Sequence, residues 1–188
     1  TGITLSSHAI QENQSITLAA SFSDPGTLDS HRVVIDWGDG SEEKVIDLAA
    51  GIYSVSGLSH VYRDDPAGAT TSYTVSVKVA DKDMPTGVFS TSTDTIVVSN
   101  VAPVVTTGSL KLFTWNTLNR EWVETTGSGT PQLNEGDLLR ITGSYSDQGP
   151  DDVPLVNVTW SSGITTSAVV NPVTRTFEAV YRYTDDYA

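Results

Sequence analysis

An internal repeat is the strongest constraint on how this chain can fold. Residues 10–40 align with residues 133–163 at a constant offset of 123 and without a gap. Nine of the 31 aligned positions are identical: Glu12/Glu135, Ser21/Ser144, Ser23/Ser146, Asp24/Asp147, Gly26/Gly149, Asp29/Asp152, Val33/Val156, Trp37/Trp160 and Gly40/Gly163. Because self-similarity at a fixed offset is typical of repeated structural units, we predict two tandem modules, residues 1–102 and 103–188.

Apolar residues alternate with polar ones along several short stretches of the first copy. They occupy every second position, as expected of a strand with one buried face. These residues are Ile16, Leu18, Ala20 and Phe22; Val33, Ile35 and Trp37; Tyr73, Val75, Val77 and Val79; and Ile96 and Val98. Turn-forming clusters rich in Gly, Pro, Asp and Ser separate the stretches. This pattern predicts an all-β fold with an antiparallel β-sandwich in each copy.

The second copy differs from the first at both of its ends. Residues 62–65 of the first copy are matched by residues 183–186 at an offset of 121, and the first copy continues for two further predicted strands. We therefore expect the second sandwich to be incomplete at its C-terminus unless another element supplies strands. Residues 106–132 have no counterpart before residue 10. They are predicted to add an N-terminal β-hairpin that turns at residues 116–119.

Charge and composition argue against several classes of function. The 188 residues include 10 Lys and Arg against 23 Asp and Glu, a formal net charge of −13. Such a charge repels nucleic acids and anionic lipid surfaces. No apolar run approaches the roughly 20 residues of a membrane-spanning helix, so we expect no direct membrane insertion. Cysteine is absent, which excludes disulfides and thiolate metal sites.

Four motifs of the first copy together resemble the polycystic kidney disease (PKD) domain family. They are FSDPG at 22–26, DWGDGS at 36–41, HVY at 60–62 and YTVSVKVADKD at 73–83. The variant of the domain in which an FSDPG motif precedes the DWGDGS motif is similar to the tandem repeats of large bacterial cell-surface proteins. In the second copy the DWGDGS motif has diverged to TWSSG at 159–163, so its assignment depends on the repeat.

The resemblance implies immunoglobulin-like sandwiches that serve as spacers, stalks or adhesion modules, some of which bind Ca²⁺. It also implies an extracellular location at a bacterial cell surface. The expected partners are neighbouring repeats of the same chain, other cell-surface proteins or polysaccharide.

Five acidic residues are candidate ligands for Ca²⁺ because they lie at strand ends or in loops. They are Glu12, Asp24, Asp29, Asp81 and Asp83. Ca²⁺ takes about six to eight hard oxygen ligands, and two loops of a sandwich can converge at one end to supply them. The loops after Phe22 and after Val79 are candidates for this convergence. The alternative is a solvated acidic loop that binds no ion.

The predicted hairpin carries Phe113, Trp115 and Trp122, which form a second candidate site. Three aromatic residues in a polar insertion could stack on sugar rings or contact a protein partner. Alternatively, they pack against the sheet of the second copy or between the two modules.

Asp39 and the histidines have simpler interpretations. The Gly38-Asp39-Gly40 segment predicts a tight turn in which the aspartate accepts hydrogen bonds from nearby backbone amides. His60 is predicted to make a structural hydrogen bond. His8 and His31 are isolated in the sequence, so a zinc site is not expected.

Two functional hypotheses from different classes follow. In the first, the chain is a non-enzymatic structural or adhesion segment, stiffened by Ca²⁺ near the junction of its modules. In the second, the aromatic hairpin recognises carbohydrate or protein, as an accessory to a secreted hydrolase. No nucleophile elbow, phosphate loop or histidine metal motif occurs in the sequence, so enzymatic activity is not expected in either case.

Overall fold

The computed structural model describes residues 2–64, 70–82, 89–125 and 131–184. All regular secondary structure within these ranges is β-strand, and most of the pairing is antiparallel, which confirms the predicted all-β class. The described residues contain no helix that is long and apolar enough to cross a membrane. Asp83, one of the predicted calcium ligands, lies outside the described residues.

The chain divides into two compact units. Unit 1 comprises Thr1–Val101 together with Gly149–Asp151, and unit 2 comprises Ala102–Gln148 together with Asp152–Ala188.

Unit 1 contains eight of the described strands, arranged in two sheets. They are β1 (Gly2–Leu5), β2 (Ala9–Gln11), β3 (Gln14–Ser21), β4 (His31–Asp36), β5 (Lys44–Leu48), β6 (Ser54–Tyr62), β7 (Thr70–Asp81) and β8 (Ser90–Ser99). One sheet has the order β1-β3-β6 and the other β2-β8-β7-β4-β5. The pairs are antiparallel except for β2 and β8, which run parallel.

The core of unit 1 lies between these two sheets, as in a β-sandwich. It draws buried residues from both sheets: Leu5, Ile16, Leu18, Ala20, Val33, Ile35, Trp37, Tyr62, Tyr73, Val75, Val77, Val79, Ile96 and Val98. Every apolar residue of the predicted alternating stretches is buried here except Phe22, which packs against the cluster while partly exposed. The period of two therefore identified the inward face of each strand correctly.

Unit 2 contains the other eight described strands. They are β9 (Val104–Val105), β10 (Lys111–Asn116), β11 (Glu121–Glu124), β12 (Leu138–Ser146), β13 (Asn157–Thr159), β14 (Thr165–Ser167), β15 (Val169–Asn171) and β16 (Thr176–Arg182). The larger sheet has the order β11-β10-β12-β16-β15, with β9 also paired to β12, and β13 pairs with β14. The predicted hairpin is confirmed as β10 and β11.

The core of unit 2 is smaller than that of unit 1. Leu139, Trp160 and Ala179 are its buried members, with partly buried neighbours around them. Among the described residues β13 pairs only with β14, whereas the corresponding strand β4 of unit 1 pairs with both β5 and β7. Among the described residues, fewer strands cover the inner face of the larger sheet in unit 2 than cover the corresponding sheet in unit 1. Fewer side chains of unit 2 are therefore fully buried.

Candidate functional site

Acidic side chains and a histidine meet at one end of unit 1. The antiparallel register of β4 and β7 places His31 opposite Asp81, and Asp24 follows β3 of the other sheet. The His31 Nε2 atom lies 2.7 Å from Asp24 Oδ2 and 3.4 Å from Asp81 Oδ1. Ligand atoms of all three residues lie within 4.8 Å of one another. The loop after Phe22 and the end of β7 thus bring together two of the predicted ligands, Asp24 and Asp81.

His31 is the buried member of this cluster, with only 2% of its side chain exposed. Its ring centroid lies 4.8 Å from that of Phe22 and 5.6 Å from that of Tyr53. His31 was not among the predicted site residues, because it is isolated in the sequence. The available signal was strand phase, because His31 shares the inward-facing parity of Val33 and Ile35.

A tight loop brings Asp29 close to Asp24. The backbone N–H of Gly26 donates a hydrogen bond of 2.8 Å to Asp24 Oδ1. The carboxylate of Asp29 fills the space in which a side chain on Gly26 would begin. A glycine at position 26 therefore allows the two carboxylates to approach each other.

The cluster carries an excess of negative charge. The Gly26 amide, followed by the His31 hydrogen bond, lowers the pKa of Asp24. Burial, followed by the charge of Asp24, raises the pKa of Asp81, and Asp29 adds to this effect. A cation would stabilise the ionised form of Asp81 and remove its repulsion with the other two carboxylates.

The donor set fits a hard cation better than zinc. Asp24 is ionised at neutral pH and can only accept hydrogen bonds, so the Nε2 atom of His31 carries the proton in their 2.7 Å contact. That nitrogen has no lone pair free for a metal. Asp24, Asp29 and Asp81 supply carboxylate oxygens, the ligand type that Ca²⁺ prefers.

Glu12 lies apart from this cluster. Its side chain is fully buried, and its Oε1 atom accepts a hydrogen bond of 2.8 Å from the Val101 backbone. The Glu12 backbone N–H donates to the Ser99 carbonyl at 3.0 Å. Glu12 thus fixes the segment through which the chain leaves β8.

The acidic cluster lies at the end of unit 1 that is opposite to the point where the chain leaves β8. Ser99, at the end of β8, pairs with Thr70, whereas Asp81 is at the opposite end of β7. Asp24 and Asp81 are therefore not near the point where the chain leaves the unit. A calcium site beside the module junction stays a prediction, and Asp24 and Asp81 would not be part of it.

Asp39 links the DWGDGS turn to β6. Its Oδ1 atom accepts hydrogen bonds from the Ser41 backbone at 3.1 Å and the Ser41 hydroxyl at 2.6 Å. Its Oδ2 atom lies 2.7 Å from His60 Nε2. Gly38 and Gly40 have φ values of 81° and 80°, as the predicted tight turn requires. The structural roles predicted for Asp39 and His60 are confirmed.

This arrangement is not a catalytic triad. A Ser-His-Asp triad needs the serine hydroxyl to bond the imidazole, which then acts as its base. Here Ser41 and His60 both bond the carboxylate of Asp39.

An aromatic cluster surrounds His60. The His60 ring stacks on Trp37 with centroids 4.6 Å apart and 8° between the planes. The Tyr62 ring meets His60 edge-on at 4.8 Å, and its hydroxyl donates to the Trp37 carbonyl at 3.0 Å. We call this set of Trp37, His60 and Tyr62 the aromatic clamp of unit 1.

Unit 2 contains an equivalent clamp formed by Trp160, Tyr181 and Tyr183. Tyr181 stacks on Trp160 at 5.4 Å and 19°, and Tyr183 meets Tyr181 edge-on at 4.8 Å. The Ser162 hydroxyl donates to the Tyr181 hydroxyl at 3.3 Å. By the sequence offsets, Ser162 corresponds to Asp39 and Tyr181 to His60. A neutral hydrogen bond in unit 2 thus replaces the Asp39–His60 pair of unit 1.

Phe113, Trp115 and Trp122 lie together on the larger sheet of unit 2. All three are half-buried, and none belongs to the core cluster of the unit. Trp115 and Trp122 are direct cross-strand partners, with ring centroids 5.3 Å apart. The three residues thus lie together and form the second candidate site, which shares no residue with the acidic cluster.

Comparison with family models, curated proteins and solved structures gives no match to this chain.

Proposed function

We propose that this chain is a non-enzymatic structural segment of an extracellular or cell-surface protein. It consists of two tandem immunoglobulin-like modules of the PKD type, and it acts as a spacer, stalk or adhesion segment. Ca²⁺ bound at Asp24, Asp29 and Asp81 stabilises the first module.

The observation that carries this proposal is the repeated aromatic clamp. Trp37 and Trp160 are related by the offset of 123, and the residues that stack on them by the offset of 121. In each unit a tryptophan is covered by a stacked ring, and a tyrosine two residues further on meets that ring edge-on. Repeated units that differ in their polar contacts but keep this packing are suited to a load-carrying or spacing role.

The acidic cluster supports the calcium part of the proposal. A cation that binds only the folded state stabilises it by mass action, more so as its concentration exceeds the dissociation constant. One ion would bridge the Asp24 and Asp29 carboxylates of the loop between β3 and β4 and the Asp81 carboxylate at the end of β7. Binding there would join the β3 sheet to the β4–β7 sheet at one end of unit 1.

Calorimetry of the whole chain tests the calcium site. We expect millimolar CaCl₂ to raise the melting temperature of the unit 1 transition relative to EDTA. The double variant Asp24→Asn/Asp81→Asn should lose this shift. Asp94→Asn is the matched control, because Asp94 also pairs with a histidine, His8, at 3.1 Å and outside the cluster. An unchanged wild-type melting temperature would contradict the calcium site.

A second measurement tests the modular organisation. Trp37→Ala should lower one unfolding transition and Trp160→Ala the other, because each tryptophan belongs to the core of its own unit. Removing a buried tryptophan side chain costs about 3–5 kcal/mol, which is large enough to separate the transitions. If both variants shift a single common transition, the two units do not behave as separate modules.

A further inference from the structure

The two faces of the larger sheet in unit 2 differ in composition. Cross-strand partners share a face, so the pairs Trp115–Trp122 and Phe113–Arg140 lie on the same side. The core residues Leu139 and Ala179 have the opposite parity and lie on the other side. The aromatic residues of the hairpin therefore occupy the outer face of the sheet, away from the core of the unit.

Arg140 joins the aromatic residues into a row. Its guanidinium carbon lies 4.4 Å from the ring centroid of Phe113 and 4.8 Å from that of Trp122. Trp122 in turn contacts Trp115 at an interplanar angle of 68°. These contacts hold the rings in place, because a stacked guanidinium is attracted to the faces of both rings. The row of Phe113, Arg140, Trp122 and Trp115 is called the aromatic row below.

The hydrogen-bonding groups of Arg140 are incompletely used within the described residues. Its buried Nε atom has no hydrogen-bond partner among them. Its NH1 atom lies 3.8 Å from Glu178 Oε2, which is too far for a hydrogen bond. The side chains of Arg140 and Glu178 are 22% and 52% exposed, so the terminal guanidinium nitrogens of Arg140, unlike its buried Nε, and the carboxylate oxygens of Glu178 can be reached by a ligand beside the rings.

The charges around the aromatic row are nearly balanced. By register, the same face carries Lys111, Arg140 and Arg182 together with Glu124 and Glu178. Lys111 and Glu124 form an ion pair at 3.0 Å. Although the chain has a formal net charge of −13, this face offers hydrogen-bond donors and acceptors in similar number. Its local electrostatic potential therefore does not strongly favour either cations or anions.

A neutral carbohydrate fits this combination of groups. A sugar ring presents a C–H face that packs on an aromatic ring, and its hydroxyls both donate and accept hydrogen bonds. A polyanion is disfavoured by the net charge of the chain. A stable protein interface needs about 800 Å² per partner and few charges at its centre, whereas charged side chains surround these three rings.

We propose that the outer face of this sheet binds a neutral oligosaccharide. Trp115 and Trp122 stack on sugar rings, and Arg140 and Glu178 hydrogen-bond the sugar hydroxyls. This site is separate from the cation cluster of unit 1, so the binding is expected to persist in EDTA.

Affinity electrophoresis of the whole chain in EDTA tests this proposal. The gels contain hydroxyethylcellulose, laminarin or galactomannan as neutral probes, and polygalacturonate as an anionic probe. We expect retardation by at least one neutral polysaccharide and a loss of affinity of about tenfold or more in Trp115→Ala and Trp122→Ala. Leu118→Ala is the matched control, because Leu118 is 92% exposed in the turn of the same hairpin.

Each result bears directly on the proposal. Retardation by no neutral probe, or by polygalacturonate alone, would overturn it, as would an equal loss in Leu118→Ala. If circular dichroism shows that the tryptophan variants are unfolded, Glu178→Gln decides the question, because Glu178 is outside the core. A several-fold loss of affinity in Glu178→Gln supports the site, and unchanged affinity contradicts it. None of these outcomes depends on the calcium test in unit 1.

Discussion

The imidazole of His60 lies flat against the indole of Trp37 while its Nε2 atom bonds the carboxylate of Asp39. One side chain of β6 thus contacts both the end of β4 and the turn that follows it. Because β6 and β4 belong to different sheets, His60 connects the two layers of unit 1. The motifs DWGDGS and HVY are physically one feature, although some 20 residues separate them.

Acid should weaken this connection. Burial alone would raise the pKa of Asp39, but hydrogen bonds from Ser41 and His60 outweigh it and lower the pKa. A carboxyl group with a lowered folded-state pKa stabilises the protein above its unfolded pKa, and this contribution is lost as pH falls through the folded pKa. Urea unfolding across the acid range should therefore show a loss of unit 1 stability that Asp39→Asn reduces.

The Asp39→Asn variant also has an expected cost at neutral pH. Hydrogen bonds to a charged group are worth about 1.5–3 kcal/mol, so we expect the free energy of unfolding to fall by about 1–2 kcal/mol. Ser162→Ala in unit 2 is the control, because Ser162 occupies the corresponding position with a neutral contact. Ser162→Ala should lower the free energy of unfolding by less than Asp39→Asn does, and it should not change the pH dependence of stability. Equal pH profiles for wild type and Asp39→Asn would rule out the Asp39 contribution.

Replacing Gly38 and Gly40 of the DWGDGS turn by alanine should lower the free energy of unfolding by different amounts. Both have positive φ values, 81° at Gly38 and 80° at Gly40. A Cβ atom on Gly38 would collide with the Thr74 backbone, whereas one on Gly40 would meet nothing within 4 Å. Gly40→Ala should cost about 1–2 kcal/mol for the left-handed backbone, and Gly38→Ala about 3 kcal/mol or more because the steric clash is added. Chemical denaturation of both variants measures the difference, and similar losses would contradict the close approach of Thr74.

Removing one charge from the acidic cluster should stabilise the protein when no cation is bound. Because the pKa of Asp81 is raised, its ionised form is disfavoured in the folded state at neutral pH. Asp81→Asn removes this repulsion with Asp24, so its melting temperature in EDTA should exceed that of the wild type. In CaCl₂ the order should reverse, because the variant lacks a ligand. A lower melting temperature for the variant in EDTA would show that Asp81 is not under this repulsion.

Gly26→Ala tests whether Asp29 takes part in cation binding. The new methyl group would displace the Asp29 carboxylate, which lies at the end of a flexible side chain and can move at little cost. We therefore expect weaker Ca²⁺ binding in isothermal titration calorimetry with a small change in stability in EDTA. Leu28→Ala is the control in the same loop, because Leu28 is 88% exposed. Unchanged affinity in Gly26→Ala would exclude Asp29 as a ligand.

Strand phase was readable from the sequence because burial on one face imposes a period of two. The same rule places Phe113 and Trp115 on one face of β10. It does not say which face is turned toward the core, because aromatic residues suit a core as well as an exposed surface. The register with Arg140 of β12 supplies that information, and it requires the three-dimensional pairing.

The acidic cluster was only partly readable for a different reason. Asp24 and Asp81 were expected to meet because loops at one end of a sandwich converge. Local spacing does not reveal His31, because its partners Asp24 and Asp81 lie 7 and 50 residues away in the chain. Glu12 shares the loop position of the other acids, and its burial against the Val101 amide leaves no mark in the sequence.

The parallel pairing of β2 with β8 has a mechanical consequence. Ala9, Ile10 and Gln11 lie beside Val97, Val98 and Ser99 near the two chain ends of unit 1. Tension that pulls these ends apart drags the two strands past each other along their length. Their hydrogen bonds are then loaded in shear and resist together, whereas an antiparallel pair pulled from one end would unzip bond by bond.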